Sequence, residues 1–197
     1  MSRAVQVGAD GWIAGARRVA STHFDARPTT GAADAAVDPA VDLVVLHCIS
    51  LPPGRFGGDA VARLFAGTLD CDDHPFFARL RGVRVSAHFL IGRDGVLTQF
   101  VSCRDRAWHA GASAFEGRPG CNDFSIGVEL EGCEYEPFAE AQYATLGALL
   151  PALRAAYPLR AVRGHSEIAP GRKTDPGPLF DWARLRRDFA GNSASDC

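Results

Sequence analysis

Apolar and polar positions along the chain change period several times, and each change marks an element. Residues 41–46 (VDLVVL) form a short Val-rich apolar run, which predicts a buried strand running directly into His47. Residues 124–131 (FSIGVELE) alternate: Ile126, Val128 and Leu130 stand against Ser125, Gly127, Glu129 and Glu131. Period two predicts a strand with one face buried and both glutamates on the other. Residues 83–91 (VRVSAHFLI) and 95–101 (GVLTQFV) predict two further strands, joined by a tight turn through Gly92 and Gly95. A shorter apolar segment, Ala161 and Val162, precedes His165.

Helical spacing is clearest over residues 139–157, where Tyr143, Leu146, Leu150, Leu153 and Tyr157 recur at three and four. Pro151 is expected to disturb that helix locally. Asp59 is placed to cap a helix over 60–69 with Val61, Leu64 and Phe65 on one face. A short helix is predicted over 75–81. A last one, over 178–190, would put Leu179, Trp182 and Leu185 on one side. Residues 25–40 and 50–58 read as irregular chain. Residues 102–123 read as a long loop, which inside a compact domain is usually functional. The sum predicts a single α/β domain, a central mixed sheet with helices packed against it. Residues 1–40 form a lead-in packing on the domain, 41–190 the domain itself, and 191–197 a short tail.

Composition narrows the function. Hydrophobic residues are 47% and charged residues 22% of 197, which excludes a disordered chain. No run of 18 apolar residues occurs, so neither a spanning helix nor a membrane partner is expected. The N-terminal residues lack the apolar stretch of a signal peptide, so the expected location is cytoplasmic. The net charge of -2, without a basic run, argues against a nucleic-acid partner. Six cysteines without a C-x-x-C pair read as reduced thiols. The chain carries 20 Arg and one Lys, Lys173.

Three polar residues are hard to explain as packing: His47, His165 and Asp175. Two imidazoles and a carboxylate suit a catalytic Zn²⁺, leaving one position for water. Spacing alone also allows ordinary hydrogen-bonded histidines. Residues 164–178 (GHSEIAPGRKTDPGP) are stiffened by Pro and Gly and can hold His165 near Asp175. Lys173 could project into the same place and stabilise an oxyanion. The alternative is a surface lysine, yet every other Lys/Arg position carries Arg, and a guanidinium replaces an ammonium poorly in a tight pocket. Glu129 is a candidate general base or part of a solvated strand face. His88 reads as a core histidine. Trp108, His109 and Gly111 resemble a wall of a binding groove.

Five ordered motifs, VVLHCISLPPGRFGG, RVSAHFLIGRDG, RAWHAG, CNDFSIGVELEG and GHSEIAPGRKTDPGPLFDW, resemble the AmpD-type N-acetylmuramoyl-L-alanine amidases of the peptidoglycan-recognition fold. The resemblance runs from about DGWIAGARRV to DWARLRRDF. It implies that His47, His165 and Asp175 bind one Zn²⁺ and that Glu129 and Lys173 are the catalytic pair. It implies hydrolysis of the amide between the lactyl group of muramic acid and L-Ala, on 1,6-anhydro-muramyl peptides recycled in the cytoplasm. The partner implied is a small muropeptide, and the protein is expected to be a monomer. Arg84 matches an arginine expected to hold substrate carboxylates. Cys48 stands where the family commonly has Asn at a substrate contact, and Gly120 where it often has a basic residue. The competing possibility is a non-hydrolytic stem-peptide binding module of the same fold, which typically lacks a full zinc triad.

Overall fold

The strictly alternating segment becomes an interior strand of the sheet. The structure, a computed structural model, describes residues 5–28 and 41–191. Six strands form one mixed sheet: β1 (Arg17–Arg18), β2 (Leu43–Ile49), β3 (Phe89–Ile91), β4 (Leu97–Gln99), β5 (Ser125–Glu131) and β6 (Ala161–Gly164). Their spatial order is β1–β4–β3–β5–β2–β6, and only β3 and β4 pair antiparallel. Four helices accompany them: α1 (Ala60–Ala66), α2 (Glu140–Ala156), α3 (His165–Ile168) and α4 (Trp182–Gly191).

Period two decides which face does what. Val44 and Leu46 of β2, Phe89 and Ile91 of β3, and Ile126, Val128 and Leu130 of β5 share one core with Leu146, Leu149, Leu150 and Leu153 of α2 and Leu185 of α4. The opposite residues, His47 and Glu129 among them, face away from that core. There α1 covers part of the sheet with Val61, Leu64 and Phe65, all buried as the spacing predicts.

Several predicted elements differ in extent. Only 89–91 of residues 83–91 join the sheet, because the Ser86 N–H donates to the Trp108 carbonyl instead. The second strand of that hairpin shortens from 95–101 to 97–99. The predicted helix over 75–81 is a 3-10 turn, Phe77–Leu80. The last helix begins at Trp182 because the Asp181 carboxylate accepts the Arg184 N–H at 2.8 Å; Leu179 lies outside it, exposed. Asp59 precedes α1 without a capping bond and pairs with Arg63 instead. α2 passes through Pro151 unbroken: the carbonyl that loses its partner is that of half-buried Gly147. The long loop 102–123 carries short strand pairs and a 3-10 turn, Cys121–Asp123.

The described part of the lead-in is tied down. Gln99 accepts the Ile13 N–H at 2.8 Å and donates to the Gly11 carbonyl at 2.9 Å. Buried Arg27 donates to the carbonyls of Asn122, Asp123, Cys103 and Ser125. Residues 1–4 and 29–40 of the predicted lead-in and 192–197 of the predicted tail lie outside the described residues. Cys48, Cys71, Cys103, Cys121 and Cys133 are free thiols. Among the described residues no helix is long and apolar enough to cross a membrane.

Leu146 is fully buried at the α2–sheet contact. Leu146→Ala is expected to cost about 2–5 kcal/mol of stability, measured by urea denaturation.

Candidate functional site

The site forms at the carboxyl ends of three neighbouring parallel strands. Pairing of β2 with β5 sets His47 opposite Glu129. Pairing of β6 with β2 ends at Gly164 opposite Leu46, so His165, the next residue, opens α3 beside His47. After α3 the chain turns back: the Arg172 and Lys173 N–H groups both donate to the Ala169 carbonyl at 3.1 Å. The Ser166 N–H then donates to the Asp175 carbonyl at 3.0 Å and draws Asp175 into place. The Gly- and Pro-rich segment thereby brings Asp175 to the two histidines.

Three atoms converge. His47 Nδ1 lies 2.9 Å from His165 Nδ1 and 3.0 Å from Asp175 Oδ2, and His165 Nδ1 lies 3.1 Å from the same oxygen. His165 Nε2 faces the Ala110 carbonyl at 3.0 Å. A carbonyl only accepts, so the neutral ring carries its hydrogen on Nε2 and its lone pair on Nδ1. That lone pair points at a carboxylate oxygen, which also only accepts. Two acceptors face to face call for a positive charge between them. The triangle fits one: a tetrahedral cation with bonds of about 2.0–2.1 Å spaces its ligands about 3.3–3.4 Å apart. His47, His165 and Asp175 are thus able to hold a metal ion.

The groups around the triangle are buried and shift one another's protonation. Burial pushes His47 below its ordinary value, against the pull of Asp175. Burial works against the Asp175 charge, but the adjoining His165 and His47 rings hold its carboxyl below the usual range. Glu129 is 8% exposed, and its Oε2 is buried without a hydrogen-bond partner. Burial, with Asp175 nearby, raises its pKa well above the ordinary carboxyl value, and Lys173 pulls it partly back. Burial pushes the Cys48 thiol up to about 12, so it stays protonated and unreactive at neutral pH.

A cavity of about 520 Å³ opens over these groups. Its walls include His47, Glu129, His165, Lys173 and Asp175, together with Cys48, Trp108 and His109. Trp108 is held by its indole N–H on Asp25 at 3.0 Å and by stacking on His23. Two other candidates stand outside the walls. Arg84 is exposed, its guanidinium 5.4 Å from the centre of the Trp108 ring. Gly111 lies behind Arg172. Glu131 points along the same face as Glu129 but accepts the N–H groups of Gly57 and Arg93, a structural task. His88 is fully buried, with Nδ1 accepting the Gly127 N–H, and burial beside Arg27 pushes it down to about 3.

Among the cavity residues that sequence reasoning missed are Arg172, Thr174 and Glu134. Arg172 donates to the carbonyls of Ala110 and Ala112 and so locks the 110–112 loop onto the His165 loop. Glu134 accepts the Thr174 hydroxyl and fastens the same loop from the other side. All are charged or polar residues in loops, where periodicity carries no signal; only the proximity of Arg172 and Thr174 to Lys173 in the chain could have pointed to them.

Fold and site together define an α/β domain with a candidate metal-binding centre at the ends of parallel strands. The chain belongs to the Amidase_2 family, N-acetylmuramoyl-L-alanine amidases, whose family model matches residues 37–178. It is similar to the 1,6-anhydro-N-acetylmuramyl-L-alanine amidase AmpD of Escherichia coli (strain K12), at 53% identity over 178 residues, 89% of this chain and 93% of that one. A crystal structure of a selenomethionine AmpD derivative superposes with a TM-score of 0.83 at 52% identity, covering 91% of this chain and 97% of that one. The E. coli amidase AmiD, solved in complex with the substrate anhydro-N-acetylmuramic acid-L-Ala-D-γ-Glu-L-Lys, superposes with a TM-score of 0.58 at 30% identity, over 81% of this chain and 61% of that one. The expected amidase resemblance and the mixed α/β fold are both borne out.

Glu129 makes a signed pH prediction for metal-free protein. Its folded pKa lies above the ordinary 4.5, so the folded state gives up the proton later than the unfolded chain. The relative stability of the acid form is fully present below pH 4.5 and is lost as pH rises through the raised value. Glu129→Gln is therefore expected to raise Tm at pH 7.5 and to leave it nearly unchanged at pH 4, in paired thermal melts.

Proposed function

We propose that this protein hydrolyses the amide joining the lactyl group of 1,6-anhydro-N-acetylmuramic acid to L-Ala of small muropeptides, with one Zn²⁺ held by His47, His165 and Asp175. The observation that carries the proposal is a buried carboxyl, Glu129, with its Oε2 unpartnered, in the same cavity as three converging acceptor atoms. The name of the E. coli relative, which matches nine-tenths of both chains, supports the substrate class. The muropeptide bound to the AmiD neighbour supports it further. The proposed setting is the cytoplasmic recycling of cell-wall fragments.

Bound there, Zn²⁺ supplies Lewis acidity and makes hydroxide available near neutral pH. Glu129 takes the proton of the attacking water on its carboxylate. Its raised pKa suits the next task, returning that proton to the departing amine nitrogen of L-Ala. The Lys173 ammonium, which pairs with no carboxylate among the described residues, is placed in the cavity wall to hold the oxyanion that develops on the lactyl carbonyl. Trp108 offers an aromatic wall to the substrate, and Cys48 narrows the floor as a neutral thiol. Arg84, exposed at the rim beyond Trp108, is positioned to meet a stem-peptide carboxylate outside the cavity.

Mass spectrometry of products from anhydro-muramyl tripeptide is the direct test. Free tripeptide is expected with Zn²⁺ and none after treatment with a strong chelator. Binding without cleavage under both conditions would mark a recognition module and sink the enzymatic reading. Lys173→Arg is expected to lower kcat by about 10²-fold, since the broader guanidinium displaces the point charge from the oxyanion. Turnover close to the parent's would remove Lys173 from the mechanism.

A further inference from the structure

The relay begins at a backbone carbonyl. Ser125, the first residue of β5, donates its hydroxyl hydrogen to the Cys121 carbonyl at 2.6 Å. A hydroxyl has one hydrogen, so Ser125 Oγ meets His109 Nε2, 3.3 Å away, as an acceptor. His109 therefore donates from Nε2, and its neutral ring keeps a lone pair on Nδ1. That atom lies 3.0 Å from His47 Nε2. His47 must then donate from Nε2, which leaves the lone pair of its Nδ1 facing His165 Nδ1 and Asp175 Oδ2.

The ring that transmits this order has little freedom. A Cβ at Gly127 would stand 2.4 Å from His109 Cγ, so the imidazole lies directly on the β5 backbone. The His88 ring meets it edge-on, with centroids 5.8 Å apart. Among the described residues no carboxylate comes within hydrogen-bond distance of His109, so a second proton on it would be an uncompensated charge. Rotation of the ring would exchange the nitrogen facing His47 for a carbon, and Gly127 leaves the ring seated flat rather than free to turn.

We propose that His109, pinned by Ser125, is a positioning residue that fixes the tautomer of His47 so that Nδ1 is the atom offered to the metal. His165 is fixed independently, by the Ala110 carbonyl. Each histidine ligand thus has its remaining hydrogen committed by a hydrogen-bond path ending on a main-chain carbonyl. His109 acts through His47, so its loss acts first on metal affinity and only through that on turnover. The proposal rests on the metal reading above.

The test measures zinc affinity by competition with a chromophoric chelator, with ¹⁵N NMR of histidine-labelled, zinc-loaded protein as a second readout. His109→Phe keeps a ring but accepts nothing; it is expected to weaken zinc binding about 10- to 100-fold. His109→Gln accepts with Oε1 and donates with Nε2, so it is expected to stay within about threefold of the parent. Ser125→Ala, which removes the acceptor of the His109 hydrogen, is expected to weaken binding several-fold, and it serves if the Phe variant does not fold. The parent's spectrum is expected to place the His47 hydrogen on Nε2. Parent-like zinc affinity in His109→Phe, or a His47 hydrogen on Nδ1, would overturn the proposal while leaving the metal reading intact. A parent protein that binds no zinc overturns the metal reading, and the proposal with it.

Discussion

The seven-residue parallel pairing of β2 with β5 is the constraint on which the site depends. It sets His47 and Glu129 side by side on one face and Leu46 and Val128 side by side on the other. The alternation leaves no intermediate register. A slip of one residue would turn Glu129 into the leucine-rich core under α2 and lift Val128 into the cavity. The large penalty for that exchange makes the hydrophobic core the device that aims the polar site. The return of residues 169–175 adds Asp175 to an edge whose positions are already settled.

That edge gathers acceptors rather than balanced pairs. Two imidazoles, Asp175 and Glu129 line one cavity, and the folded chain bears the cost of the unpartnered Glu129 oxygen. Carbonyl oxygens do much of the supporting work. Ala110 orders His165 and also takes a hydrogen from Arg172. Four carbonyls surround the Arg27 guanidinium, which burial pushes down to about 10. Because carbonyls cannot titrate, they orient side chains in the same way across the whole pH range in which the sheet is folded.

The parts of this arrangement written in local periodicity were legible in the sequence. Glu129 could be placed on the polar face by period two, and α2 by its leucines. His165 and Asp175 could be linked because prolines and glycines left their loop few conformations. What was not legible depends on contacts far apart in the chain. Ser86 gives its N–H to Trp108, so residues 83–88 leave the predicted strand. Arg27 sits among carbonyls some 76 to 98 residues away, and no local pattern announces that. Leu179 reads as a helix-face residue until Asp181 starts the helix after it. Trp108, His109 and Gly111 lie within four residues of one another, yet only the first two reach the cavity wall.

Gly127 has a consequence for how this sequence is free to change. Its missing side chain is the seat of the His109 ring, and even a methyl group there would overlap the imidazole. The two positions are therefore coupled in time as well as in space. A lineage that places alanine at 127 while histidine stands at 109 passes through a form whose ring has nowhere to lie. The opposite order, with 109 reduced first, keeps the backbone intact but leaves His47 without its acceptor. The order of change is therefore constrained: position 109 must change before 127, and that first step is close to neutral only where, as with glutamine, an acceptor for His47 remains.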